Sequence, residues 1–234
     1  MFWDTIKIEQ LTKPESWKIS RQGNDETAKE EVIFTIQGII KAKDLPPVMA
    51  KPRSYRYKYL HQSITLTGLG SPTFSSALSA VKTIYDCFDR QFEEHTLDPW
   101  TESEVADGIP ESIDLSNRYF TPATEAGGMK DTPFLPGIDP KGILQSMGQG
   151  DRTLSFVHTK DNQVHYFSTC RLNEGARKYE NCEPQMFWAG DIVQAQVSFV
   201  AIPVKGGKCK LLSMLCSLAL LEGQFASVSN FVHY

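Results

Sequence analysis

Residues 51–60 read KPRSYRYKYL, with tyrosines at 55, 57 and 59 and basic side chains at 53, 56 and 58. Aromatic rings and cations together make a surface for an unpaired nucleic-acid strand, the rings stacking on bases and the cations tracking phosphates. In an extended strand, however, side chains alternate between faces. Tyr55, Tyr57 and Tyr59 would then share a face with Arg53, while Arg56 and Lys58 point the other way. The spacing therefore favours an ordinary strand whose tyrosines pack against a helix and whose basic residues sit in water.

His158, His165, Cys170 and Cys182 form a second set, within 25 residues of one another. Imidazole nitrogens and thiolates are zinc ligands, but the short spacings that let one turn present two donors are missing. No metal or other cofactor is expected. The glycine-containing pieces at 68–70 and 148–150 lack the Lys-Ser/Thr of a phosphate loop, and no HExxH, GxSxG or paired CxxC occurs. Glu102, Glu104 and Asp107 read as a solvated acidic run, and Asp191 as a turn residue that accepts backbone hydrogen bonds. No catalytic residue can be singled out, which argues against an enzyme without excluding one.

The elements that would position these residues are mostly strands. EVIFTIQGII (31–40) is rich in β-branched and aromatic residues, and QSITLT (62–67) follows the tyrosine segment as a further strand. Ser71 and Pro72 then open an amphipathic helix over 71–95, N-cap followed by proline at the first helical position. Its stripe is Phe74, Leu78, Val81, Tyr85, Phe88 and Phe92. Residues 96–150 read as a long irregular connection, rich in acid and then in Gly and Pro. Two runs at 153–158 and 164–170, separated by Lys160-Asp161-Asn162-Gln163, read as a hairpin. A strand at 191–202, a turn at Gly206-Gly207 and an apolar return strand at 209–221 complete the chain.

The 234 residues are 41% apolar and 22% charged, the balance of a folded globular chain. Five scattered cysteines suggest reduced thiols in an intracellular protein. The longest apolar stretch, 211–221, is far shorter than the ~20 residues of a membrane-spanning helix. The net charge of −4 divides unevenly: eleven basic against eight acidic residues over 1–60, five against thirteen over 61–142, and eight against seven over 143–234. Basic surfaces at either end remain compatible with an acidic whole.

The stretch AGDIVQAQVSFVAIPVKGGKCKLLSMLCSLALL (189–221) has a turn at Gly190-Asp191, a strand, a basic Gly-Gly hairpin and a return strand. This layout resembles the second half of an oligonucleotide-binding (OB) barrel, with the two runs at 153–170 supplying the first half. It is also similar to the C-terminal signature of uncharacterised proteins abundant in mushroom-forming fungi. The expected fold is mainly β (α+β), with an OB-like β-barrel in the last third and N-terminal β-strands packed by the helix over 71–95. The expected divisions are an N-terminal α+β region (1–100), an acidic, Pro/Gly-rich connection (101–148) and the barrel (149–234).

The OB resemblance implies a single-stranded nucleic acid as partner. Candidate stacking residues are Phe156, His158, His165, Tyr166 and Phe167. Candidate phosphate partners are Lys160, Arg171, Arg177, Lys178, Lys205, Lys208 and Lys210. The rival reading is a protein-interaction or scaffold module, able to self-associate, that uses a strand edge or the 100–140 segment.

Overall fold

The computed structural model describes residues 6–23, 29–51, 53–100, 111–148, 156–171 and 177–223. In chain order the elements begin with β1 (Ile6–Thr12), β2 (Glu15–Gln22), β3 (Lys29–Glu31), β4 (Phe34–Asp44) and β5 (His61–Thr67). The helix α1 (Pro72–Asp89) follows, then β6 (Ser112–Arg118), β7 (Thr121–Pro122), the short α2 (Ile143–Gly148) and β8 (Phe156–Val157). The last strands are β9 (His165–Arg171), β10 (Arg177–Asn181), β11 (Ile192–Pro203) and β12 (Cys209–Glu222).

Five of these strands close into a ring. β4, β5 and β6 form an antiparallel meander. β11 pairs antiparallel with β4 along one edge and with β12 along the other. β12 closes the ring by meeting β6 in parallel, Met214 opposite Ser116. A meander closed by a hairpin in this way is the five-stranded Greek-key barrel of the OB fold. Alternation explains its core. Ile36, Ile40, Ile64, Leu66, Ile113, Leu115, Val193, Ala195, Val197, Leu215 and Leu218 are buried, while their sequence neighbours mostly face outward.

The mainly β expectation holds, and so does the 189–221 hairpin as the barrel's second half. The first half is built by residues 34–118, whereas the runs at 153–170 lie outside the ring. β8 pairs with β7, Thr121 opposite Val157. β9 joins β12 in parallel and carries β10 as its antiparallel neighbour. The expected hairpin between 153–158 and 164–170 does not form, because Lys160–Asn162 is a single 3-10 turn. There the Asn162 Oδ1 accepts from the Thr159 amide (2.9 Å), the Thr159 hydroxyl (3.0 Å) and the Thr121 hydroxyl (3.2 Å). The turn is tied to β7, so the chain leaves it in a new direction. β1, β2 and β3 extend the sheet from the other side, through Val200↔Lys18 and Ala201↔Trp17. One sheet thus draws strands from 1–100, 101–148 and 149–234.

α1 begins where expected, with Ser71 as N-cap and Pro72 inside the first turn, but it ends at Asp89 rather than near 95. Its buried stripe is Phe74, Leu78, Val81, Ile84 and Phe88. Phe74 seats the helix against the barrel end where β5 finishes. A Cβ added at Gly68 would come within 2.3 Å of the Phe74 Cβ, so that close approach needs glycine.

The largest departure from expectation is the tyrosine segment. Ser54–Tyr59 is a 3-10 helix, not a strand. The neighbours of β5, the strand it leads into, stop short of it: β4 ends at Asp44 opposite Ser63 and β6 at Arg118 opposite His61, so the segment has no ladder to extend. It belongs instead to the long loop between the first and second barrel strands.

Candidate functional site

In an OB barrel, oligonucleotides are bound by the face of the second and third strands and by two loops, the one joining strands 1 and 2 and the one joining strands 4 and 5. Here the face is β5–β6, and the loops are residues 45–60 and 204–208. The first carries Lys51, Arg53, Arg56 and Lys58 with no Asp or Glu. The second, with the first two residues of β12, carries Lys205, Lys208 and Lys210, again without an acid. Lys51, Arg53, Lys58, Lys205, Lys208 and Lys210 are all exposed.

The floor between the loops has little relief. β5 turns His61, Ser63 and Thr65 outward, and β6 turns Asp114, Ser116 and Arg118 outward beside them. The Thr65 hydroxyl donates to Asp114 at 2.6 Å, and Arg118 pairs with Glu125 at 3.0 Å. Tyr57 and Tyr59 divide their roles. Tyr57 is half-buried and meets Phe156 edge-on, with ring centroids 6.2 Å apart. Tyr59 is 65% exposed, and the Lys58 ammonium lies 4.7 Å from its ring centroid. A hydrogen bond from Lys58, then that ammonium's charge, lower the Tyr59 phenol's pKa; the Lys205 charge acts in the same direction. The two cationic loops are therefore close enough to share an electrostatic field at this tyrosine. Helical winding of 54–59 removes the alternation that had set Tyr59 and Lys58 on opposite faces, and so overturns the reason for discounting them.

The residues singled out from sequence fall into three places. Phe156, His158 and Tyr166 are buried and present no open ring face to a base. Phe156 packs near Phe120, with centroids 6.3 Å apart. The Tyr166 hydroxyl donates to the Gln62 Oε1 at 2.6 Å, and burial raises its pKa well above the usual value. The His158 Nδ1 donates to the Tyr119 carbonyl at 2.8 Å, and its ring stacks on Phe134 at 4.0 Å. Burial lowers the His158 pKa, which keeps the ring neutral and makes Nε2, with no hydrogen-bond partner, an acceptor.

His165 and Phe167 form a second group, on the outer face of β9, with nearly parallel rings (14°) and centroids 6.4 Å apart. Arg171 and Arg177 stand opposite each other in the β9–β10 register. Lys178 is exposed and pairs with Glu180 at 2.8 Å. Lys160 is exposed on the 3-10 turn. Lys205, Lys208 and Lys210 make the third group, at the tip of the β11–β12 hairpin, and Lys208 lies 3.6 Å from Asp98. Glu102, Glu104 and Asp107 lie outside the described residues.

A cleft of about 470 Å³ opens beside His158, lined among others by Phe120, Phe134, Leu144, Asp131 and Asp139. Among the described residues, no group of three or more His, Cys, Asp or Glu side chains is arranged to hold a metal ion.

No protein-family profile matches the chain, and neither does any curated protein. Among solved structures it is similar to gp2.5, a single-stranded DNA-binding protein encoded by bacteriophage T7. The two are 13% identical, the alignment covers 81% of this chain and 91% of that one, and the TM-score is 0.42.

Proposed function

We propose that the protein binds single-stranded nucleic acid across the β5–β6 face, between the 45–60 loop and the β11–β12 hairpin tip. The observation that carries this reading is the acid-free cationic composition of both loops around an exposed tyrosine. An overall charge of −4 makes such a local concentration of seven basic residues stand out from the rest of the surface. Phosphates meet the ammonium and guanidinium groups, and a base stacks on Tyr59. The short floor side chains Ser63, Thr65 and Ser116 let the strand approach the sheet closely. Binding of this kind tolerates many sequences, because every base has a π-face.

Fluorescence anisotropy with a labelled oligonucleotide at low and moderate salt tests the reading. Binding should be strongest at low salt and weaken steeply as salt is added. No binding at low salt would overturn it, since phosphate contacts are strongest there.

A further inference from the structure

We infer that the outer face of β9–β10 is a second contact surface for the same unpaired strand, with a slot between His165 and Phe167 that takes one base. The inference rests on the reading above and extends it beyond the two loops.

Alternation along β9 buries Tyr166 and turns His165 and Phe167 outward, His165 exposed and Phe167 half-buried. Residues two apart on a strand stand about 6.6 Å from each other. The ring centroids keep that spacing, at 6.4 Å, with planes within 14° of parallel. Carbon atoms in contact sit about 3.5 Å apart, so a flat ring inserted between two others needs about 7 Å. The centroid distance caps the gap between the two planes at 6.4 Å, so a base enters when either side chain rotates to widen it. Tyr179, 46% exposed, stands edge-on to Phe167 at 6.5 Å and forms a third aromatic wall.

The surroundings fit a polyanion. The positions of β9 and β10 that share this face by alternation and register include 165, 167, 169, 179 and 181, with no acid among them, and the two strands end on the register pair Arg171↔Arg177. The face continues onto β11 and β4 through Gln194, which donates to the Tyr179 hydroxyl at 3.4 Å and accepts from Gln37 at 3.0 Å.

Topology connects the two surfaces. β6 and β9 lie along the same edge of β12, Ser116 opposite Met214 and His165 opposite Ser217. Three residues of β12, about 10 Å, separate them. Lys18, ion-paired with Glu31 at 3.1 Å and Asp161 at 3.5 Å, lies beside this stretch of β12, so a strand passing from Ser116 to His165 skirts that group.

The test compares oligonucleotides of about 8 nucleotides, within the ~4–16 that one OB fold occupies, and about 20, beyond it. Phe167→Ala should weaken binding of the long oligonucleotide by about 5- to 150-fold and leave the short one unchanged. His165→Ala, at an exposed position, should weaken the long one in the same sense without touching the core. Lys58→Gln/Lys205→Gln should weaken both lengths. If the His165 and Phe167 variants bind both lengths as the wild type does, or lose both equally, the second surface is overturned while the loop site stands. Wild-type protein that binds neither length would overturn both readings.

Discussion

If the two loops hold phosphates, the salt dependence of binding counts the contacts, and the structure gives the count. Lys208 shares its charge with Asp98 at 3.6 Å. Of the loop cations whose side chains the structure describes, Lys51, Arg53, Lys58, Lys205 and Lys210 remain as exposed charges with no ion pair among the described residues. Each phosphate neutralised on a single strand contributes about −0.7 to the slope of log K against log salt, so five give a slope of about −3.5. Between 50 and 200 mM salt the wild-type affinity should then fall about 130-fold. Lys58→Gln/Lys205→Gln removes two contacts, which brings the slope to about −2.1 and the fall to about 20-fold. Tyr59→Ala should behave differently: it loses a stacking contact of about 1–3 kcal/mol at every salt concentration and leaves the slope alone. Anisotropy titrations at four or more salt concentrations read both quantities. A double variant with the wild-type slope would refute the assignment of these lysines to phosphates, whatever its affinity.

Two further expectations concern the frame around the site. Gly68→Ala forces a Cβ to within 2.3 Å of the Phe74 Cβ and should cost at least about 1–3 kcal/mol by overpacking. Gly70→Ala meets nothing within 4 Å but keeps a φ of +82°, so it should cost only about 1 kcal/mol of backbone strain; urea midpoints would rank the two. Burial lowers the His158 pKa from its ordinary 6.5, so the unfolded chain takes up a proton there before the folded one does. That contribution to stability is fully present above about pH 6.5 and is lost as pH falls towards the folded value. Urea midpoints between pH 5 and 8 should show the loss in the wild type and a flatter profile in His158→Gln.

The barrel's second half was legible because a long apolar strand, a Gly-Gly turn and a matching return strand are all local signals. Its positive-φ glycines, Gly206 and Gly207, sit where the turn requires them. The third strand, β6, was hidden in what reads as irregular connection. SIDLSNR offers only Ile113 and Leu115 as apolar residues, and its third inward position is Asn117. That asparagine is buried because its Nδ2 donates to the Asp161 and Leu215 carbonyls, at 2.9 and 3.0 Å, partners that only tertiary structure supplies. The tyrosine segment misled for the opposite reason. Its alternation matches a strand, yet a ladder needs a partner, and the strands on either side of β5 end opposite Ser63 and His61. Sequence reasoning also chose Phe156, His158 and Tyr166 by residue type, whereas their burial depends on the β7–β8 pairing and on Gln62, more than a hundred positions from Tyr166.

Acidity elsewhere on the molecule bears on how the site would work. Residues 61–142 hold five basic against thirteen acidic side chains, and Asp114 is the one acid of these on β5 or β6, so the surface beside the floor, more than the floor itself, repels a polyanion. Asp114 lies on that floor, with Asp44 nearby at the end of β4. A strand drawn in by the loops therefore gains little by spreading over neighbouring surface, and repulsion confines it to the path the cations define. Beyond a Debye length of about 8–10 Å at moderate salt this repulsion fades, so raising salt weakens attraction and confinement together. Low salt should thus give the tightest binding and also the shortest footprint. A protein held to nucleic acid by a uniformly basic surface would do the reverse, recruiting more contacts and lengthening its footprint as salt is lowered. Footprint length measured by nuclease protection across a salt series separates the two kinds of binding: a footprint that grows as salt falls would mean that the acidic surface does not set the boundary.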